Sequence, residues 1–251
     1  MVDAMDQSVG VVVEALYEAQ MLDNTIVVFL SDNGGQPWGP HASRSFNWPL
    51  RGTKATLWEG GTRAAAFLWS PLVAKRRRVS QQLMHITDWL PTLYSAAGGK
   101  PGRLSRQAGG REMWHALSSD KSSPRTEILY NYDVTDGTAA LRYGSYKLVQ
   151  AGLYRWNSLQ FPKTGVSRAT VRCPESGSRP SNFVSGKPPY LFDLDKDPCE
   201  LKNLASSLPK VVASLQKRLD RYISAAVPPG NQPVDPRGYP DNNNGIWAPW
   251  L

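Results

Sequence analysis

Six β-branched, aromatic and aliphatic residues, Thr25-Ile26-Val27-Val28-Phe29-Leu30, run without interruption and stop at Ser31-Asp32-Asn33-Gly34-Gly35. A continuous apolar run bounded by a polar, glycine-rich turn predicts a strand buried on both faces of a parallel sheet. In an open sheet of that kind the crevice beyond the carboxyl ends of the strands is where ligands bind, so the turn carries the first candidate site. Upstream, Val2, Met5, Val9, Val12, Val13 and Leu16 recur at three- and four-residue steps and predict an amphipathic helix that packs on the sheet. A helix leading into a buried strand makes this an α/β layer.

The chain has 251 residues, 41% of them hydrophobic, enough for one large domain or two small ones. Residues 64–69 predict a second strand. Residues 83–97 predict a helix, with Asp88 as its cap, Pro91 in its first turn and Gly98-Gly99 as its stop. From about residue 121 the texture changes to short strands at 127–130, 139–142, 146–149 and 190–192, with a hairpin turn at Gly144-Ser145. Val211, Val212, Leu215, Leu219, Tyr222 and Ile223 then form the stripe of a last helix. The predicted division is therefore 1–120 for an α/β part and 121–251 for a small α+β part. The Pro- and Asn-rich tail from residue 227 is expected to tuck Trp247 and Trp250 into the body.

The formal charge of +8 favours anionic partners such as polysaccharide sulfates, phosphates, nucleic acid or acidic membrane surface. Its densest cluster, Lys75-Arg76-Arg77-Arg78, reads as a solvated loop, and no basic stretch is interleaved with stacking aromatics as a nucleic-acid groove requires. Cys173 and Cys199 have no zinc spacing; one disulfide and two buried thiols are both open readings. No run of about 18 apolar residues marks a membrane span. The acidic start carries no signal peptide, and no Asn-x-Ser/Thr sequon is present.

Between residues 31 and 63 the chemistry concentrates. Asp32 and Asn33 place a carboxylate beside an amide oxygen, a pair suited to Ca²⁺ or Mg²⁺, which need six or more oxygen ligands. Asp32-Asn33-Gly34-Gly35 also suits a tight turn whose side chains cap their own backbone. Lys54, downstream among Arg51, Gly52, Gly60 and Gly61, suits an anionic ester held beside a cation, or an ordinary surface lysine. Trp48 and Trp58 read as core or pocket wall, and Arg51 and Arg63 as ion-pair partners. Glu59 suits either role. His41, His85 and His115 read as non-catalytic.

Taken together, Ser31-Asp32-Asn33-Gly34-Gly35, Asn47-Trp48-Pro49-Leu50-Arg51-Gly52, Lys54, Leu57-Trp58-Glu59-Gly60-Gly61 and the run from His85 to Leu93 resemble the sulfatases, most closely the arylsulfatase B (N-acetylgalactosamine-4-sulfatase) group. The likeness continues through Ala140-Leu141-Arg142, Tyr146-Lys147-Leu148, Leu191-Phe192-Asp193 and Gly245-Ile246-Trp247. It implies a partial alkaline-phosphatase-like α/β fold with a small α+β C-terminal domain containing an antiparallel sheet. It also implies Asp32 and Asn33 as ligands of one Ca²⁺, Lys54 as a sulfate contact, and hydrolysis of sulfated glycosaminoglycan sugars in the lysosome or outside the cell. The family's nucleophile is a formylglycine made from a Cys-x-Pro-Ser-Arg motif, which this sequence does not contain. Ser178-Arg179-Pro180-Ser181-Asn182 is a superficial imitation, with Asn in place of Arg. The chain is thus expected to be a truncated product resembling only the family's C-terminal half, without turnover of its own. The alternative is a fragment that binds sulfated glycans or a partner.

Overall fold

A computed structural model describes residues 1–37, 42–43, 45–100, 109–150, 171, 173, 186–230 and 234–249. Contacts divide the chain into residues 1–219 and a short unit, 220–251. Helix α1 spans Val2–Glu18 and strand β1 Val27–Leu30; a short helix α2, Glu59–Thr62, precedes β2, Ala66–Trp69. Helices α3, Trp89–Ala96, and α4, Trp114–Ser119, lead to four strands: β3, Glu127–Asp133; β4, Thr138–Tyr143; β5, Tyr146–Gln150; and β6, Tyr190–Asp193. Helix α5 covers Pro209–Ser224.

The strands β3 to β6 form one antiparallel sheet in chain order. Leu141 pairs with Leu148 and Leu148 with Leu191, and all three are fully buried. Ala139, Ala140, Val149, Tyr190 and Phe192 are buried as well, so the middle of this sheet is covered on both faces. Its main cluster joins Ala140, Val149, Tyr190, Phe192 and Leu194 to Trp58, whose indole meets Tyr190 and Phe192 edge-on at 5.5 and 5.9 Å. A residue from the glycine-rich region thus sits in the core of the sheet. Leu215 and Leu219 of α5 are buried, and Arg218 binds Glu127 of β3 at 2.8 Å.

Three expectations change. The strand at 25–30 forms over Val27–Leu30, but it pairs antiparallel with β2 in a two-stranded sheet rather than lying in a parallel one. An apolar run reports burial and not strand direction, and here even the burial is partial: Leu30, Phe67 and Trp69 are each more than a third exposed. Helix α1 forms as its periodicity predicts, yet none of its residues is fully buried, and Val2, Met5 and Val12 are exposed. The helix predicted at 83–97 is shorter. It follows a 3-10 turn, Ile86–Asp88, and Asp88 turns its carboxylate back to the His85 N–H at 2.8 Å instead of capping α3. The buried Asp88 also accepts from Arg111 N–H at 2.6 Å and from Arg125 Nε at 2.7 Å, which explains that choice.

In the 220–251 unit, Trp247 is 66% exposed and packs edge-on against Tyr239, so it is not a core residue; Trp250 lies outside the described residues.

Truncating Trp58 empties the centre of the sheet's core. Trp58→Ala is expected to lower unfolding free energy by roughly 3–5 kcal/mol in denaturant titration.

Candidate functional site

Backbone contacts between glycines set the geometry of the site. Gly34 N–H donates to the Gly61 carbonyl at 2.9 Å, and Gly60 N–H to the Arg51 carbonyl at 2.5 Å. A Cβ on Gly34 would fall 1.7 Å from the Gly60 carbonyl oxygen, and one on Gly60 2.4 Å from that of Arg51. No side chain fits at either place, which is the physical content of the paired glycines. Asn47 closes the remaining gap: its Oδ1 accepts from Gly35 N–H at 2.7 Å, while its Nδ2 donates to the carbonyls of Gly35 and Gly52 at 2.9 and 3.0 Å. Finally, Lys54 N–H donates to the Gly35 carbonyl at 3.1 Å.

The structure therefore brings together the segments that carry all three predicted site residues. Asp32 is exposed directly after β1, and no hydrogen bond to its carboxylate occurs among the described residues. Asn33 is half-buried, and its Nδ2 donates to the Gly34 carbonyl at 2.7 Å, which leaves Oδ1 as the amide atom available to a cation. Lys54 is exposed on the adjoining segment. A carboxylate and an amide oxygen are the right donors for a hard cation, but they make only two ligands. Among the described residues no group of three or more His, Cys, Asp or Glu is placed to hold a metal.

Beneath this loop lies a charge cluster that sequence reasoning did not assign. Glu59, the first residue of α2, binds Lys147 of β5 at 2.8 Å, and Lys147 binds Glu200 at 2.9 Å. Glu200 in turn accepts from Glu59 N–H at 2.8 Å, and the Tyr130 hydroxyl donates to Glu59 at 3.0 Å. The Lys147 ammonium lies 4.4 Å from the centre of the Tyr130 ring. A register shift in β3 between Leu129 and Asn131 falls at Tyr130, consistent with a bulge that aims this residue. Glu59, Lys147 and Glu200 are all essentially buried. The alternation of Tyr146-Lys147-Leu148-Val149 is the one signal in the sequence, because it places a lysine on an inward face. It names no partner, since the partners lie 88 and 53 residues away in the chain.

Burial alone would discharge all three groups; their mutual attraction reverses this for two of them. Burial raises the Glu200 carboxyl and Lys147 only partly offsets it, leaving Glu200 pushed up to about 7. Burial also works against the Glu59 carboxylate and the Lys147 ammonium, but here the ion pairs prevail: Glu59 is held below and Lys147 above its ordinary value. Burial, then Glu59, raises the Tyr130 phenol. Arg51, fully buried 5.3 Å from the Trp58 ring, is pulled down by burial and back up by Glu200 and Asp197.

Cys173 and Cys199 form a disulfide with Cα atoms 5.7 Å apart, which settles the open reading of the two cysteines. Its second half-cystine is the residue before Glu200, itself in the left-handed region at φ 57°. His85 is half-buried and accepts from Thr87 N–H through Nδ1 at 3.4 Å, a capping role. His115 is exposed on α4, and His41 and the 178–182 segment lie outside the described residues.

Comparison with known proteins adds a likeness to one family. Residues 1–99 match the profile described as Sulfatase. The whole chain aligns with mouse arylsulfatase J at 36% identity, covering 43% of that protein. N-acetylgalactosamine-6-sulfatase of Canis lupus familiaris is 29% identical over 85% of this chain and 40% of its own length. A crystal structure of Ps i-CgsB superposes with a TM-score of 0.66 at 23% identity, over 88% of this chain and 41% of the other. The chain thus spans about two-fifths of the relatives it matches. The likeness extends to the sulfatase family and its partial α/β fold, and these matches do not single out the arylsulfatase B group.

Two outcomes follow from the buried cluster. Lys147→Met leaves two carboxylates facing each other without a cation and is expected to cost roughly 3–5 kcal/mol, part of which Glu59→Gln with Glu200→Gln restores, read by denaturant melting. The raised Glu200 carboxyl binds its proton more tightly folded than unfolded. Its contribution is therefore complete below the ordinary carboxyl value and is lost as pH rises to about 7. Glu59 has the opposite sign and acts only at more acid pH. Unfolding free energy measured across this window is expected to decline with rising pH in the native chain and to flatten in Glu200→Gln.

Proposed function

We propose that this chain is part of a sulfatase, as its likeness to that family suggests, and that the loop of residues 31–35 and the Lys54 segment form part of a sulfate-ester site acting on sulfated glycosaminoglycan sugars. The observation that carries this reading is the hydrogen bond from Lys54 N–H to the Gly35 carbonyl, which fixes the lysine's segment against the loop holding Asp32 and Asn33. Asp32 and the Asn33 Oδ1 would supply two oxygen ligands for one Ca²⁺. When bound, the ion would neutralise charge on the sulfate oxygens. Lys54 places an ammonium group, free to reach outward from an exposed position, where it offsets the remaining anionic charge.

In this reading the chain contributes binding groups and no nucleophile. The sequence contains no Cys-x-Pro-Ser-Arg, and both cysteines are joined in a disulfide, which removes either thiol from conversion to formylglycine. The disulfide also favours an oxidising or lysosomal setting over a reducing one. No helix among the described residues is long and apolar enough to cross a membrane. The second reading, a fragment that binds sulfated glycans without turnover, draws on the same binding groups and on the absence of the nucleophile motif.

With two ligands, calcium binding should be weak, on the order of millimolar or above. Titrating Ca²⁺ into the ¹⁵N-labelled chain is expected to shift the Gly34 and Gly35 amide resonances in the native protein and to leave them still in Asp32→Ala. Equal shifts in both would remove the metal from this loop. The native chain is expected to release no sulfate from a sulfated N-acetylgalactosamine substrate, while Lys54→Ala weakens its binding of that compound.

A further inference from the structure

We propose that the basic loop at residues 75–78 and the groove beside it form a second binding site, outside the sulfate-ester loop, for an extended sulfated polysaccharide. For the identity of its ligand this inference rests on the function proposed above.

A solvated loop has no need of a fixed backbone, but this one is tied down on several sides. Ala74 N–H donates to Ser118 Oγ at 3.1 Å and Lys75 N–H to the Ser118 carbonyl at 2.8 Å. Arg76 Nε donates to the Val73 carbonyl at 3.0 Å, and Arg78 reaches the Leu117 carbonyl at 2.6 Å and Asp120 at 3.1 Å. Arg77 sits at φ 56°, a conformation an L residue adopts at a cost, and its side chain is exposed. The protein thus spends order and backbone strain on a loop in which Arg76 and Arg78 fold back onto backbone carbonyls while Lys75 and Arg77 remain exposed.

Arg78 reaches two residues, Gln82 and Asp120, that line an open groove of about 440 Å³ whose walls also include Lys121, Ser122, Ser123, Thr126 and Arg142. Gln82 joins the two features: its Oε1 accepts from Arg78 at 3.3 Å, and its Nε2 donates to Asp120 and to the Lys121 carbonyl, both at 3.0 Å. The two acids of the groove are already engaged, Asp120 by Arg78 and Asp195 by Arg142 at 3.5 Å. Lys75, Arg76, Arg77 and Lys121 remain as surplus positive charge along one edge, and no ion pair engages them among the described residues.

The lining decides the class of ligand. Amides and hydroxyls beside cations suit sugar hydroxyls beside sulfates. The groove contains no aromatic side chain, so it offers no platform on which bases would stack, and this disfavours single-stranded nucleic acid. A chain held here is a polymer gripped at a distance from any single ester, which raises the local concentration of its other sulfates.

The test is retention of the whole chain on immobilised chondroitin sulfate, with unsulfated hyaluronan and a single-stranded oligonucleotide as competitors. Lys75, Arg77 and Lys121 are exposed, and Lys75→Gln/Arg77→Gln/Lys121→Gln should melt like the native protein. Native protein is expected to bind with an affinity that falls steeply with salt. The triple variant is expected to bind about tenfold or more weakly, with a shallower salt slope reflecting fewer ionic contacts. Hyaluronan should not compete. Unchanged affinity in the variant, equal competition by hyaluronan, or stronger competition by the oligonucleotide would each overturn the proposal. Failure of the sulfate-ester reading shows separately, as Lys54→Ala binding the small sulfated sugar like the native chain while the triple variant still loses the polymer.

Discussion

The Lys147 ammonium holds two buried carboxylates, Glu59 and Glu200, in a place where water cannot. Each acid sits in the core within 3 Å of the same nitrogen. Such an arrangement contributes little net stability against an apolar core of equal volume, but it is intolerant of partial loss. What it provides is position. Glu59 starts the short helix whose next two residues, Gly60 and Gly61, support Gly34, so the placement of the candidate site traces back to a lysine on the far sheet. Trp58, one residue earlier, anchors the same point through apolar contact. Charge and packing thus pin one short stretch from two directions, and the loop above it inherits that rigidity.

Much of the candidate site was legible because its residues are close in sequence. Asp32, Asn33 and Lys54 lie within 23 positions, and the glycines beside them mark a tight turn. The strands from 127 onward were legible as short strand-like runs around the Gly144 turn, since both are local properties, while their antiparallel sheet was implied by the resemblance. The buried cluster was not. Glu59 looks like any acid at the head of a glycine pair, and Lys147 like a strand lysine, because a salt bridge between distant segments leaves no periodic trace. Likewise the cystine remained open, since spacing alone does not measure a Cα separation.

Strand β1 and helix α1 failed in a different way. Their hydrophobic patterns are strong and both elements form, yet neither acquires the full cover that the pattern implies. Pattern reports what a segment is suited to lie against. It does not report what is there. Phe29 and Phe67 stack at 5.5 Å between the two strands and give this sheet a local contact of its own, while Phe67 and Trp69 retain large exposed faces.

The cystine has a consequence that reaches past covalent stapling. Cys199 immediately precedes Glu200, so the crosslink immobilises the very backbone that delivers a titrating carboxylate into the interior. Thiol chemistry and proton chemistry therefore meet on adjacent residues. A reducing milieu that opened the bridge would loosen the acid's mooring, and the interior would feel the redox state of its surroundings through a change in where one proton rests.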